Sequence, residues 1–376
     1  MLNRLRVIGP FRGTSGYDRH TREFVRGFVA EGVAVELVPL NGWSVDLPME
    51  QRESWFESLA TPVGADTVLQ FTMCRDTRAM RGMRNIHYTM FEADRIPQSW
   101  AGIARTQDCT IVPTKAARDA WVASGVPEQS VRISPLGVKS DYFSTPADPL
   151  PLALPDGRAV SSFSRRFLNV AELRPRKNHM GLLRAWMRAT KPDDDAILVI
   201  KGSAFQPRVI EQFNADVLAM QQAEGRRLAD AAPVVVLTGF CTDDQIRSLY
   251  RSATHYISMS HGEGWDLVMM EAAVSGLKLI APRHTAYVEY LRDDEVAFIP
   301  APLAPATFEG KMGVEDQMFF DGLSWWNPDE DAAADIIRRV IDGDDAITGN
   351  APGARLACEF AWPRAARRLL EVIGDV

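Results

Sequence analysis

Short apolar runs alternate with amphipathic stretches along nearly the whole chain. In the first half the runs are Leu5–Ile8, Val33–Val38, Thr67–Phe71, Ile86–Phe91, Cys109–Pro113 and Val131–Pro135. Each has the length of a strand rather than a helix, and continuous apolar runs suit strands buried on both faces. Between the first two, Tyr17, Thr21, Phe24, Val25, Phe28 and Val29 fall on one helical face, and Gly32 ends that helix, which makes a β-loop-α-β unit. The proline-rich, aperiodic stretch Pro146–Pro155 reads as a linker. The alternation then resumes with Phe167–Val170, Ala196–Ile200, Val234–Leu237, Tyr256–Met259, Leu277–Ala281 and Ala297–Pro300. One helix among them opens on Thr242-Asp-Asp-Gln245, a capping box that satisfies exposed amides.

From Pro302 to Pro328 the pattern lapses into an irregular insertion whose Phe319, Phe320, Trp325 and Trp326 read as exposed. Packing on the sheet is the favoured explanation for them over a role in choosing a ligand, because large aromatics seldom stay uncovered. Two helices, about 330–343 and 362–374, finish the chain, and no short tandem repeat is present. Strand–helix alternation of this kind predicts an α/β protein with parallel sheets. The expectation is two Rossmann-like doubly wound domains facing each other across a cleft, one over 1–150 and one over 158–358, with the C-terminal helix, about 360–376, packing back onto the first.

Composition narrows the class. The chain has 376 residues, 46% of them hydrophobic and 24% charged, with a net charge of -7, which excludes a disordered chain, a collagen and a disulfide scaffold. No apolar run reaches the roughly 18 to 20 residues that cross a bilayer. Arg4, Arg6 and Pro10 break up the apolar start, so no signal peptide is read and a cytoplasmic location is expected. Cys74, Cys109, Cys241 and Cys358 have no ligand-pair spacing and are expected to be buried, reduced thiols. The acidic balance argues against a surface built to capture nucleic acid non-specifically, while leaving room for a local basic patch.

Three segments can carry chemistry. The loop Gly9-Pro-Phe-Arg-Gly13-Thr-Ser15-Gly16 joins the first strand to the first helix, where backbone amides and a helix N-terminus can receive an anion; a merely tight turn is the competing reading. It is not the G-x-G-x-x-G dinucleotide fingerprint. The second segment runs Ser260-His-Gly-Glu263-Gly-Trp-Asp-Leu-Val-Met-Met-Glu271 from a strand into a helix. Its two carboxylates can reach one cleft from different depths, and the amides of Gly264, Trp265, Asp266 and Leu267 can cradle a phosphate. Carboxylates accept from pairs of sugar hydroxyls, so two acids and an amide nest suit a nucleotide sugar. The third is Glu172-Leu-Arg174-Pro-Arg176-Lys177-Asn178-His179, whose cations can neutralise a departing diphosphate, although alone it would read as a solvated charge run.

Taken in order, these residues resemble the retaining glycosyltransferases of family 4, which have the GT-B fold. The likeness is densest from about Phe167 to Leu291, through Leu-Arg-Pro-Arg-Lys-Asn, Ile-Lys-Gly, Leu-Thr-Gly-Phe with Leu249-Tyr250, the Glu-x7-Glu element and Gly-Leu-Lys-Leu-Ile-Ala-Pro. The first half matches more loosely, with Gly16 in the glycine loop, Val-Pro-Thr114 followed by Ser-Gly-Val126, and Pro-Leu-Gly137-Val with Phe143. The resemblance implies that Glu263 contacts donor-sugar hydroxyls, Glu271 the ribose, and Lys177 with Arg174 or Arg176 the diphosphate. It implies that the amides of Trp265 to Leu267 assist the leaving phosphate, and that Gly16, next to Ser15, borders the donor. Retention of anomeric configuration, a nucleotide-diphosphate sugar as donor substrate and no required cofactor or metal go with it. Asp193-Asp-Asp195 fits this, since it precedes a strand and reads as a turn rather than a metal-binding motif.

Two positions depart from the family pattern. Glu172 stands where an arginine is common, and Glu-Gly-Trp-Asp-Leu replaces Glu-Gly-Phe-Gly-Leu, which sets Asp266 at the helix start beside the expected phosphate. Asp266 can either cap that helix or read the sugar. In the first domain, Asn85 to Pro97 resembles the segment whose polar residue faces the reacting sugar, a place for His87 or Glu92; a satisfied interior histidine is the other reading of His87. Arg75, Arg78, Arg81 and Arg84 recur at i+3 and would form one basic helix stripe, either solvated or turned to an anionic acceptor such as lipid phosphate, a charged glycan or nucleic acid. The function expected is transfer of a sugar to a glycan, lipid-linked or other glycoconjugate acceptor, with peripheral contact to an anionic surface as an extension. Alternatives are a sugar-nucleotide epimerase or inverting transferase of the same fold, a glycosyltransferase acting on modified nucleic acid, a non-catalytic sugar- or polyanion-binding protein, and a nicotinamide oxidoreductase.

Overall fold

A computed structural model describes residues 2–203, 207–308 and 314–376. They form two compact units, one of Met1–Val138 with Glu359–Val376 and one of Lys139–Cys358. The first is built on a parallel six-stranded sheet of β1 (Arg4–Gly9), β2 (Ala34–Pro39), β3 (Thr67–Phe71), β4 (Arg84–Tyr88), β5 (Cys109–Val112) and β6 (Val131–Ile133), in the order β2-β1-β3-β4-β5-β6. Helices α1 (Gly16–Ala30), α2 (Ser54–Ser58), α3 (Gln98–Ala104) and α4 (Lys115–Ala123) connect them. Phe24 of α1 stacks on Phe71 of β3 with centroids 5.4 Å apart and contacts Tyr88 of β4, so helix and sheet share one aromatic core.

The C-terminal helix Trp362–Gly374 belongs to this unit, and two glycines explain how close it comes. A Cβ on Gly27 would stand 2.3 Å from Ala366 Cβ, and one on Gly137 would stand 2.6 Å from the Trp362 ring. Pro-Leu-Gly137-Val is therefore a packing motif, and Val138 continues it with an amide that donates to the Phe360 carbonyl at 2.8 Å.

The second unit repeats the plan with β7 (Arg165–Glu172), β8 (Ala196–Ser203), β9 (Val234–Leu237), β10 (His255–Ile257), β11 (Lys278–Pro282) and β12 (Ala297–Ile299), in the order β12-β11-β10-β7-β8-β9, all parallel. Its helices are α5 (Ser140–Ser144), α6 (His179–Ala189), α7 (Pro207–Glu224), α8 (Asp243–Ser252), α9 (Leu267–Val274), α10 (Tyr287–Tyr290), α11 (Val314–Phe320), α12 (Glu330–Ile341) and α13 (Gly353–Glu359). The expected capping box is present, Thr242 accepting from the Gln245 amide and Gln245 from the Thr242 amide. Asp193–Asp195 is a turn, with Asp194 accepting from Arg338 and Asp195 from the Ser164 amide.

Several expectations change. β4 stops at Tyr88 instead of reaching Phe91, because the Met90 amide donates to the Tyr17 hydroxyl at 3.2 Å and leaves the ladder. The arginine stripe is not helical: Arg75 lies in a short 3-10 turn, Arg78 and Arg81 in irregular chain, and Arg84 opens β4 with its guanidinium on the Val376 and Thr67 oxygens. Pro146–Pro155 is irregular but docked, since the Leu150 amide donates to Ser248 and its carbonyl accepts from Ser252.

The insertion is not a field of exposed aromatics. An antiparallel hairpin of β13 (Leu303–Pro305) and β14 (Ser324–Trp326) lies within it; Phe320 and Trp325 are buried, Phe319 and Trp326 partly so. Residues 309–313 of that insertion lie outside the described residues. Of the cysteines, Cys74 and Cys109 are buried as expected, but Cys241 is half-buried and Cys358 exposed. Among the described residues no helix is long and apolar enough to cross a membrane.

Candidate active site

In a doubly wound sheet the winding direction reverses once, and the loops leaving the two strands at that point diverge and open a crevice at their carboxyl ends. In the second unit the reversal falls between β7 and β10. The loops leaving these two strands carry Arg174, Arg176 and Lys177 on one side and Glu263 on the other.

After β7 the chain makes a 3-10 turn, Pro175–Lys177, into Asn178 at φ 51. Asparagine tolerates the left-handed region, and here its side chain caps α6 by accepting from the Gly181 amide at 3.0 Å. The neighbouring loop is laced to this turn. The His261 amide donates to the Arg176 carbonyl at 2.8 Å, the Ser260 hydroxyl to the same carbonyl at 3.2 Å, and the Arg176 guanidinium to the Gly262 carbonyl. Lys177 Nζ thereby stands 2.6 Å from Glu263 Oε1, and Arg176 Nη1 stands 3.2 Å from Oε2. Glu263 is buried, and burial pushes its carboxyl up. The charges of Lys177 and Arg176, with hydrogen bonds from Lys177 and Ser260, outweigh that push and bring it down to about 2. Arg174, by contrast, is exposed and paired with Glu172 at 3.4 Å.

A hydrogen-bond chain aims Glu263. Its amide donates to Thr285 Oγ1 at 3.1 Å, the Thr285 hydroxyl adjoins His284 Nδ1 at 2.8 Å, and His284 Nε2 donates to the Ser260 carbonyl at 2.7 Å. Burial lowers His284 to about 4, so the ring is neutral and this pattern fixes its tautomer. The hairpin docks on the same loop. Trp326 donates its amide to the His261 carbonyl, His261 Nδ1 donates back to the Trp326 carbonyl at 2.8 Å, and the His261 and Trp325 rings stack at 4.4 Å.

Asp266 lies just before α9 at φ 63, but its side chain caps none of the first-turn amides. It accepts instead from the Tyr287 hydroxyl at 2.7 Å. Gly264 and Trp265 are buried beside it, with Trp265 packed on Tyr290, and Leu267 begins the helix. Glu271, one turn in, is buried and accepts from Tyr250 at 3.0 Å. Thr285, His284 and Tyr287 were not legible as partners of this loop, because they arrive from the end of β11, more than a helix away in sequence. Tyr250 stood in the matched segment without a role.

In the first unit the glycine loop differs from an open anion cradle. Asp18 Oδ1 accepts from the Gly13 amide at 2.7 Å, and its Oδ2 from the Ser15 amide at 3.1 Å and from Ser44 at 2.8 Å. The loop's anion is thus the chain's own carboxylate, with Ser15 as N-cap in a capping box with Asp18. The S-x-x-D spacing carried that signal. Gly16 is exposed, and a Cβ there would meet nothing within 4 Å. His87 is fully buried on β4 with Nε2 donating to the Thr72 carbonyl at 3.0 Å and Nδ1 without a partner; burial lowers it to about 4. Glu92 is half-buried in the loop after β4. Among the described residues no group of three or more His, Cys, Asp or Glu side chains is placed to hold a metal ion.

Comparison with known proteins adds the following. Residues 160–312 match the family model described as glycosyl transferases group 1. A comparison with curated protein sequences gives no match. Among solved structures, the Anabaena protein Alr3699/HepE in complex with UDP and glucose aligns over 100% of both chains at 12% identity and a TM-score of 0.66. Sucrose-phosphate synthase from Thermosynechococcus elongatus aligns over 99% of this chain and 98% of its own, at 14% identity and a TM-score of 0.68. A glycosyltransferase from Rickettsia africae aligns over 99% and 97%, at 14% identity and a TM-score of 0.63. The chain has the α/β GT-B fold of two doubly wound sheets, and its residues 160–312 carry the likeness to glycosyl transferases group 1.

Proposed function

We propose that this protein transfers a sugar from a nucleoside-diphosphate sugar to a glycan, lipid-linked or other glycoconjugate acceptor, with retention of anomeric configuration. The observation that carries the reading is the buried Glu263 carboxylate held by Lys177 and Arg176 at the reversal point of the second sheet, beside the start of α9. The likeness of this unit to glycosyl transferases group 1 and the UDP-bound Anabaena neighbour support it.

On this reading Lys177, with Arg176 or Arg174, meets the diphosphate, and the Gly264–Leu267 amides at the positive end of α9 receive its outer phosphate. Glu263 then turns to the sugar hydroxyls and Glu271 to the ribose. The bond from the anomeric carbon to the phosphate oxygen breaks as the acceptor oxygen bonds to that carbon on the same face, and the acceptor's proton passes to the departing phosphate. The two cations supply the charge that the leaving group needs, so no metal or cofactor is required. Gly16 and Glu92 would serve the donor and the reacting sugar, whereas His87, fully buried on β4, is an interior histidine. Exposed Arg75, Arg78 and Arg81 would meet an anionic acceptor surface.

Incubation with a sugar-nucleotide panel and an acceptor pool, with and without EDTA, tests this through release of nucleoside diphosphate and the anomeric configuration of the new glycoside. Removing a group that stabilises developing charge costs about 10²- to 10³-fold in rate, so Lys177→Ala and Glu263→Gln are each expected to lose at least that much. Full transfer by both variants would overturn the site, an inverted product would overturn retention, and loss of transfer in EDTA would overturn metal independence.

A further inference from the structure

Asp266 is a second buried carboxyl beside Glu263, and among the described residues no cation pairs with it. Lys177 and Arg176 are both turned to Glu263, at 2.6 and 3.2 Å. Among the described residues Asp266 receives one side-chain hydrogen bond, from the Tyr287 hydroxyl onto Oδ2, and Oδ1 has none. Tyr287 is itself held by Ser258, whose hydroxyl lies 2.8 Å away, so Oδ2 is pinned from α10 and from the residue just after β10 together. The left-handed backbone at φ 63 sets this carboxyl directly before α9, where an outer phosphate of the donor would come to rest.

An ionised Asp266 would repel that phosphate in a site with little water to screen it. A protonated one offers the phosphate an O–H donor. We propose that Asp266 is a donor-binding group that keeps its proton when the nucleotide sugar binds, with the hydrogen on Oδ1 donated to a diphosphate oxygen, so that donor affinity is linked to pH. This rests on the reading of the Glu263 loop as the donor site.

The surroundings favour the proton. Burial and the Glu263 charge push Asp266 up to about 7, against the opposing pull of Lys177, Tyr287 and Arg176. The other facing groups hold one state near neutrality. Glu263 lies at about 2 and stays ionised, His284 at about 4 stays neutral, and Tyr256, Tyr287 and Tyr290 are raised well above their ordinary value by burial. His261 on the same loop and Glu271 deeper in α9 are the remaining titratable neighbours, and an asparagine at 266 separates their effect from that of Asp266.

The test is calorimetric titration with UDP-, GDP-, ADP- and dTDP-glucose, whose diphosphate diesters have no ionisation of their own near neutrality. The tightest binder is then followed from about pH 6 to about pH 8.5 in buffers of different ionisation heat. For wild type, affinity is expected to fall up to about tenfold per pH unit above 7, with about one proton taken up per donor bound at the alkaline end. Asp266→Asn, which can still accept from Tyr287 and donate to phosphate, is expected to bind without pH slope or proton uptake. Asp266→Gly, which suits the left-handed backbone, should also lose the slope and serves if the asparagine variant folds poorly. Binding by wild type with no slope and no uptake would overturn the proposal, as would a slope that persists in either variant. Failure of all four sugars to bind at about pH 6, where the proton is in place, would overturn the donor-site reading and this inference with it.

Discussion

Burial raises both Glu263 and Asp266, yet Glu263 ends at about 2 and Asp266 at about 7, because Lys177 and Arg176 pair with Glu263 while the Glu263 charge adds to the burial of Asp266. That asymmetry is measurable without any ligand. A carboxyl whose folded-state pKa is raised, here to about 7 against about 3.9 in the unfolded chain, contributes stability below the unfolded value and loses it as pH rises through the folded value. Wild type is therefore expected to lose urea stability, relative to Asp266→Asn, between about pH 4 and 7 and to run parallel to it above. Parallel curves across the whole range would mean that Asp266 is ionised in the native protein. The sequence revealed the charged members of this cluster through the spacing of Glu263, Glu271 and the Arg176-Lys177 turn. It hid Thr285, His284 and Tyr287, because hydrogen bonds between loops of different strands leave no periodic trace. Asp18 shows the reverse case, where the glycines were legible but the carboxylate that fills their amides was passed over.

Among the elements, the twelve strands of the two sheets were legible because buried parallel strands are nearly continuous apolar runs; most of their ends differ by one to three residues, and at the exit of β4 the Tyr17 hydroxyl takes the Met90 amide. The arginine spacing misled for a physical reason: an i+3 recurrence fits a helix, but without an apolar face to bury it has nothing to hold it in one. The two glycine positions make opposite predictions. At Gly137 a methyl group would lie 2.8 Å from Trp362 Cα, which is backbone and cannot swing away, so Gly137→Ala should cost about 1 to 3 kcal/mol and loosen the C-terminal helix. At Gly16 the space is open and the residue is helical, so Gly16→Ala should be neutral or stabilise by up to about 1 kcal/mol. Denaturant melts of both variants check this, and equal effects would contradict it. If the folded Gly16→Ala protein also transfers sugar more slowly, the glycine serves the approach of the donor rather than the fold.

For the molecule as a whole, both sheets are doubly wound, the first reversing after two strands and the second after three, and the second sheet's reversal point is where cations, carboxylates and a helix start converge. Overall acidity is no obstacle to binding a diphosphate, since the local pairing of Lys177 and Arg176 with one buried carboxylate sets the field there. In the proposed reaction this cluster is the nucleotide-sugar donor site. The most direct measurement is a thermal-shift panel of UDP-, GDP-, ADP- and dTDP-sugars and NADH on wild type and Lys177→Ala. Ligand at about 100 times its dissociation constant adds roughly 2.7 kcal/mol, enough for a clear rise in Tm. A rise for one nucleotide-sugar class is expected in wild type and is expected to be lost in Lys177→Ala. No rise with any sugar nucleotide, an equal rise in the variant, or a rise with NADH alone would contradict it.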